Sequence, residues 1–305
     1  MKHRFSILMP VYNRVKYVGQ AVDSVLAQTF KDYEFFAIDD GSTDLSAAVL
    51  ASYGTRIKLL QQSNQGPEVA RNQAAALACG EYLVFLDSDD YLFPFALETL
   101  DKVISSFGSP TLIMGSMERF QDENPPEAPK DRTIRVIKYA DYLSKTRPVG
   151  TMAIVLRKAD FDAIGGLRNT TAQTWYCDDN SLLLKVGASG QCILIETPST
   201  SAYRQHAENS TKDAEAFANG LIKLADSERQ GFFGGKERKA DRYAYIGGRA
   251  AAWAFYYCWK AGKRKLALKL LSGTAPMVSM AVLRKFLRVF HSPEAPIVLE
   301  GHRAK

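Results

Sequence analysis

Two apolar runs, each cut off by a cluster of aspartates, constrain this chain more than any other feature. Tyr33 to Ile38 leads into Asp39-Asp40-Gly41-Ser42-Thr43-Asp44, and Tyr82 to Leu86 leads into Asp87-Ser88-Asp89-Asp90. Short unbroken apolar runs bounded by turn residues read as strands buried on both faces. A third such run, Phe5 to Val11, stops at Tyr12-Asn13-Arg14, and Ile57 to Leu60 supplies a fourth. Helical patterns lie between them. Val18 to Leu26 has apolar residues at Val18, Ala21, Val22, Val25 and Leu26; Ser46 to Ser52 is short; Val69 to Cys79 is Ala-rich, with Gly80 as the expected C-cap. This alternation predicts a doubly wound, mostly parallel α/β sheet. Ligands of such sheets bind beyond the carboxyl ends of the strands, where both aspartate clusters fall. Carboxylates brought into one crevice repel one another unless a cation or hydrogen-bond donors hold them. An Asp-x-Asp pair offers the oxygen ligands that Mg2+ or Mn2+ prefers. Each cluster alone also fits a helix cap or a turn, as Gly41-Ser42-Thr43 suggests.

After residue 108 the rhythm loosens. Strand-like runs recur at Leu112–Met114 and Ala153–Leu156, a polar Pro-rich loop covers 121–133, and Gly165-Gly166 marks a turn. From about 213 to 290 the pattern is helical. The expected division is 1–212, with halves 1–108 and 109–212, followed by a C-terminal region 213–305. With 46% hydrophobic residues the 305-residue chain has too much apolar material for disorder to be its main state. Cys79, Cys177, Cys192 and Cys258 are far apart and form no CxxC, so reduced thiols are expected in place of a zinc site or disulfides. Phe5 to Val11 is too short, and lacks the cleavage site, for a signal peptide. No unbroken apolar run reaches ~18 residues, so no membrane-spanning helix is expected. Charge divides unevenly: 15 Lys/Arg and 4 Asp/Glu follow residue 230, against 24 and 29 before it.

The order of motifs adds a family likeness. Ser6-Ile-Leu-Met-Pro-Val-Tyr-Asn13, Ala27-Gln-Thr-Phe30, Asp39-Asp-Gly-Ser-Thr-Asp44, Ala70-Arg-Asn72 and Phe85-Leu-Asp-Ser-Asp-Asp90 follow one another within the first 90 residues. Together they resemble the nucleotide-binding half of family 2 glycosyltransferases, which have the GT-A fold. The likeness continues more loosely through Ile164-Gly-Gly-Leu167, Asp178-Asp179 and Tyr203-Arg204-Gln205-His206, and covers about 5–212.

The resemblance implies an inverting, metal-dependent enzyme. It would move a sugar from a nucleotide-sugar, foremost a UDP-sugar, to a hydroxyl of a glycan or lipid-linked acceptor in cell-surface polysaccharide synthesis. It places Pro10 and Tyr12 against the base, Asp40 on the imide hydrogen of a uracil, and Arg14 and Arg71 near the diphosphate or base edge. Asp87 and Ser88 would bind ribose or sugar, and Asp89 or Asp90 would hold Mn2+ or Mg2+. Arg204, His206 and Ser210 would reach the leaving diphosphate or the metal, where a cation offsets developing charge. Asp179, with Asp178 as the alternative, would take the proton of the acceptor hydroxyl; Asn180 to Val186 behind it reads as a helix. Here Asp178-Asp179 stands where the family usually has Glu-Asp. The Gln-x-x-Arg-Trp motif of processive synthases is absent, which favours single additions. Two other readings are kept. A sugar-1-phosphate nucleotidyltransferase needs a Gly-rich, Arg-containing loop after strand one, where this chain has Pro10 to Arg14. A non-catalytic nucleotide-binding scaffold would not need the intact acidic set.

The basic tail carries its own signal. Trp253, Phe255, Tyr256, Tyr257 and Trp259 are followed by Lys260, Lys263, Arg264 and Lys265. Pro276 is expected to start a helix with Met280, Leu283, Leu287 and Phe290 on one face and Arg284, Lys285 and Arg288 on the other. Such helices suit an anionic membrane surface, which would place a cytoplasmic protein on the inner face of the membrane. A helical cap or a homodimer contact are the alternatives. No nucleic-acid recognition motif accompanies the charge, so no nucleic-acid partner is expected.

Overall fold

The computed structural model describes residues 2–121, 124–144, 154–167, 178–206, 209, 213–234, 237–288 and 295–299. Its strands are β1 (Phe5–Val11), β2 (Tyr33–Asp39), β3 (Lys58–Gln61), β4 (Tyr82–Phe85), β5 (Tyr91–Leu92), β6 (Leu112–Met114), β7 (Met117–Phe120), β8 (Ile134–Tyr139), β9 (Ile154–Arg157), β10 (Cys192–Thr197), β11 (Ser201–Arg204) and β12 (Ile297–Leu299). The helices are α1 (Val18–Leu26), α2 (Ser46–Ala51), α3 (Pro67–Leu77), α4 (Ala96–Phe107), α5 (Lys158–Ala163), α6 (Asp178–Val186), α7 (Ala214–Arg229), α8 (Lys239–Ile246), α9 (Arg249–Lys260) and α10 (Arg264–Arg288). One sheet runs β12-β8-β10-β6-β9-β4-β1-β2-β3, and β5-β11-β7 form a small second sheet. In the large sheet only β8 and β9 run against the other strands, as the alternating pattern predicted.

Side chains of the central strands alternate between two buried layers. Phe36, Ile38, Leu83 and Phe85 enter one layer; Phe35, Ala37, Tyr82 and Val84 enter the other. Helices α1, α2 and α4 cover the second layer with Val22, Val25, Leu50, Leu100 and Ile104. The first is covered by α3, α5 and α6 together with all four C-terminal helices, through Leu224, Ile246, Ala254, Leu270 and Met277. The C-terminal helices therefore share a core with the sheet.

Gly80 is not a helix cap. Helix α3 ends at Leu77, and Ala78 is already extended. A Cβ at Gly80 would come 2.5 Å from the Ser6 backbone nitrogen, so glycine is needed where this segment crosses β1. The crossing is tied by Glu34, whose carboxylate accepts from Ser6 Oγ at 2.6 Å, Lys58 Nζ at 2.6 Å, Cys79 N–H at 2.6 Å and Gly80 N–H at 3.2 Å. Burial alone would raise the Glu34 carboxyl, but these donors outweigh it and lower it to about 2. His3, Glu34 and Cys79 bring ligand-type atoms within 4.8 Å of one another, yet the Lys58 ammonium already neutralises that carboxylate.

Pro276 does not start a helix either; α10 runs through it. Proline removes one N–H from the helical ladder. Packing carries α10 past that gap, because Thr274 and Met277 on either side are buried. Gly247 of the α8–α9 junction lies so close that a Cβ would meet the Met277 backbone at 2.1 Å. One expectation about the tail is also revised: Arg264–Arg284, 21 residues, is long and apolar enough to cross a membrane by length and composition. The small polar residues Ser272, Thr274 and Ser279 interrupt the apolar run without making the helix polar. Cys79, Cys192 and Cys258 are free thiols, as expected, and Cys177 lies outside the described residues.

Candidate active site

Strand β1 has β2 on one side and β4 on the other, so the chain leaves its neighbours in opposite directions and opens a crevice at its carboxyl end. Three loops enter that crevice: Tyr12–Arg14 after β1, Asp40–Asp44 after β2 and Asp87–Asp90 just beyond β4. Asp40 N–H donates to the Val11 carbonyl at 2.8 Å, which sets Asp40 next to Tyr12 along the sheet. Pro10 is buried within β1, whereas Tyr12 is 42% exposed.

Much of Asp39-Asp-Gly-Ser-Thr-Asp44 is structural. Asn13, at φ 51°, donates its N–H to Ser42 Oγ at 3.0 Å and accepts from Thr43 N–H at 2.8 Å. Arg14 N–H donates to Ser46 Oγ at 2.8 Å, and Val15 N–H to Asp44 at 3.1 Å. Burial works against the Asp44 charge, yet the Ser46 and Val15 donors hold its carboxyl below the usual range. The β1 loop is thus laced to the β2 loop. Asp40 does similar work for the segment before α3. Its oxygens accept from Gln62 Nε2 at 2.7 Å, Gln65 N–H at 2.8 Å and Gly66 N–H at 2.8 Å. Asp40 is itself buried, and a carboxylate has about four acceptor positions, of which these donors take three.

The second cluster is a tight turn, closed by Asp90 N–H donating to the Asp87 carbonyl at 3.1 Å. Carboxylate oxygens of Asp87, Asp89 and Asp90 lie within 4.8 Å of one another. Around them stand three basic groups. Arg71 pairs with Asp87, Arg14 Nε lies 3.3 Å from Asp89 Oδ2, and His206 Nε2 lies 2.9 Å from the same oxygen. Ser88 is buried, whereas the Asp87 side chain is half-exposed. Asp90 is buried under the turn and accepts the Arg204 N–H at 3.1 Å. Burial, then the charges of Asp87 and Asp89, push its carboxyl well above the usual carboxylate range.

Arg204 is committed to the turn itself. Its Nε donates to the Asp89 carbonyl at 3.1 Å, its Nη2 bonds Gln20, and its guanidinium covers Phe120 and Tyr17. Tyr17 also stacks on the His206 ring, centroids 4.6 Å apart. Asn209 fixes this segment by donating to the Arg204 carbonyl at 3.0 Å and accepting the His206 N–H. Oxygen atoms of this spacing beside an imidazole suit Mn2+ or Mg2+. Asp89, which turns toward His206, is the better placed ligand of the set; Asp90 turns toward β11.

Helix α6 covers the expected stretch Asn180 to Val186 and also takes in Asp178 and Asp179, the latter partly buried in its first turn. Asn72 of α3 ties down the segment after α5: its amide accepts the Leu167 N–H at 2.9 Å and donates to the Leu167 carbonyl. Lys185 of α6 donates to the Gly166 carbonyl at 3.1 Å. From the other side, Tyr245 of α8 donates its hydroxyl to Asn180 at 2.7 Å. The Asp178 side chain and all of Ser210 lie outside the described residues. The sequence does not mark Tyr17, Gln20, Asn209 or Tyr245; Asn72 alone carries a signal, as the residue after Arg71 in Ala70-Arg-Asn72.

The fold agrees with what the chain resembles among known proteins. The sequence profile described as Glycosyl transferase family 2 matches residues 6–162. An uncharacterized glycosyltransferase of Rickettsia conorii is 41% identical over 97 residues, which are 31% of this chain and 16% of that protein. Glycosyltransferase GlyG of Streptococcus pneumoniae is 36% identical over 104 residues, 33% of this chain and 35% of that one. The chain thus spans a minor part of these relatives' length. Among solved structures, TarS of S. aureus in complex with UDP superimposes with a TM-score of 0.59 at 16% identity, covering 99% of this chain and 97% of that one. Mannosyltransferase PcManGT of Pyrobaculum calidifontis, in complex with GDP-Man and Mn2+, gives 0.56 at 18% identity, covering 95% and 82%.

Proposed function

The chain belongs to glycosyl transferase family 2, and on that premise we propose that it transfers a sugar, with inversion, from a UDP-sugar to a hydroxyl of a glycan or lipid-linked acceptor. The observation that carries the proposal is the meeting of the exposed Tyr12 ring, Asp40, and the Asp87–Asp90 turn with Arg14, Arg71 and His206 in one crevice. Tyr12 offers a free face on which a base stacks, and Asp40 reads an imide N–H with its remaining acceptor position. Arg14 and Arg71, now on aspartates, turn toward the diphosphate, whose oxygens take guanidinium forks well. Asp89 and His206 would hold Mn2+ or Mg2+, which when bound neutralises charge on the leaving diphosphate. Arg204 and Tyr17 keep Asp89 and His206 aligned. On the acceptor side Asp179 takes the proton of the attacking hydroxyl, aided by its place at the start of α6, where the helix dipole and open N–H groups favour a carboxylate. Delivery of a cell-surface glycan or lipid-linked acceptor to this face fits a cytoplasmic enzyme.

Asp89→Asn tests the assignment, since the amide keeps the shape of the carboxylate and removes its charge. Circular dichroism should be unchanged, while titration calorimetry should lose the Mn2+-dependent part of UDP binding. Full transfer activity in Asp89→Asn, or in the wild type with excess chelator, would overturn the metal-dependent reading. A nucleotidyltransferase would instead release pyrophosphate from a nucleoside triphosphate, and a scaffold would release no nucleotide from any sugar donor.

A further inference from the structure

Helices α9 and α10 leave an aromatic, aliphatic and cationic surface uncovered. Among the described side chains of α9 the buried ones are Ala251, Ala254 and Cys258, one stripe at helical spacing; Phe255 packs partly against the core and the other wide side chains point outward. Trp253 is 36% exposed, Tyr256 56%, Tyr257 41% and Trp259 46%. These rings touch one another: Trp253 on Tyr257 at 4.6 Å and Tyr256 on Tyr257 at 5.2 Å between centroids. Arg264 lies over Trp259 at 5.6 Å and carries the surface on to α10, where Leu268, Leu271, Val282 and Leu283 are also exposed. Apolar residues placed so openly mark an interaction site.

Charge says what covers it. From Arg242 to Pro293 the sequence holds ten Lys/Arg and not one Asp or Glu. Arg242 pairs with Glu228, Lys263 with Glu215 and Arg284 with Asp241, all acids from outside that span. Lys260, Lys265 and Lys269 form no ion pair among the described residues, and all three are exposed. Trp and Tyr rings with a wet edge, beside cations and aliphatic side chains, are the composition of a surface that enters the headgroup layer. We propose that the α9–α10 face docks on an anionic lipid bilayer, lying in its interface. Although Arg264–Arg284 is long and apolar enough to span, Ala267, Leu270, Thr274 and Met277 bind it to the rest of the fold. Spanning would tear that stripe from the core that α10 shares with the sheet. At the same time only 22% of the stretch is buried, far from a helix enclosed by protein. The inference rests on this surface alone and stands whether or not the donor assignment holds.

Sedimentation of the full chain with vesicles tests it. Phosphatidylcholine vesicles containing phosphatidylglycerol should bind the protein, pure phosphatidylcholine vesicles should not, and added salt should weaken the binding. Each Lys neutralised should cost about fivefold in the partition constant, so Lys265→Gln with Lys269→Gln should lower it about 30-fold. Tyr256→Ser with Leu268→Ser should also release the protein although every charge is kept. Circular dichroism and donor binding should match wild type in both variants, since none of these residues lies in the site. Indifference of the full chain to anionic vesicles at low salt would overturn the proposal, as would unchanged binding by both variants. Light scattering that shows a dimer broken by Tyr256→Ser with Leu268→Ser would assign the face to a second copy instead. Bound protein that resists carbonate extraction would mean a spanning helix and would overturn the interfacial placement.

Discussion

Replacing Glu34 by Gln should expose the tie that joins β1, β2 and β3 to the segment after α3. The carboxylate accepts four donors, one of them the Lys58 ammonium, and the protein lowers its titration from an ordinary 4.5 to about 2. That difference corresponds to at most ~3 kcal/mol of folding stability. Lys58 is 53% exposed, so solvent screening leaves ~2 kcal/mol. The sign follows from the direction of the change. A carboxyl lower in the folded than in the unfolded chain stabilises above the unfolded value, and that stability is lost as pH falls from about 4.5 toward about 2. Urea unfolding of wild type and Glu34→Gln should differ by ~2 kcal/mol at pH 7, a midpoint shift of ~0.7 M at an m-value of ~3 kcal/mol/M. At pH 3 less than half of that gap should remain, ~1 kcal/mol or under. A gap that stays constant from pH 7 to pH 3, or no gap at pH 7, would refute the reasoning.

Asp179→Asn should fold and bind UDP with Mn2+ as wild type does, because the amide keeps the shape of the carboxylate, while transfer to the acceptor falls ~10²–10⁴-fold. Near-normal transfer would remove Asp179 as the base and point to Asp178. Asn72→Ala deletes both amide bonds to Leu167 and should cost ~2 kcal/mol in urea unfolding, at ~1 kcal/mol per bond. Its donor binding should persist while transfer weakens, since the clamp joins the two halves; equal losses of both would show that it does not act as such a joint.

The sheet was readable because its first four strands are dominated by nearest-neighbour chemistry: apolar runs, then acidic or polar turns. Strands β5, β7, β8, β11 and β12 were not. Tyr91–Leu92 and Ile297–Leu299 are too short to show a period, and β8 alternates irregularly beside a Pro-rich loop. They exist because partner strands supply their hydrogen bonds, which no local pattern records. The same limit applied to Gly80 and Pro276. Each was assigned the role its residue type favours locally, and each is governed by what packs on it: β1 at Gly80, and the buried neighbours Thr274 and Met277 around Pro276.

By itself the sequence determined the alternating α/β order, the crevice end of the sheet, and which aspartates, arginines and aromatic residues approach it. It did so because strand ends and turns are written in adjacent residues. Only the tertiary structure decided what each does there. Asp44 holds a loop, Asp90 turns toward β11 while Asp89 turns toward His206, and Arg204 supports the turn from below. Those distinctions arise between residues far apart in the chain, 117 positions for His206 and Asp89 and 65 for Tyr245 and Asn180 of α6. Distance in the chain carries no information about such contacts until packing has set it.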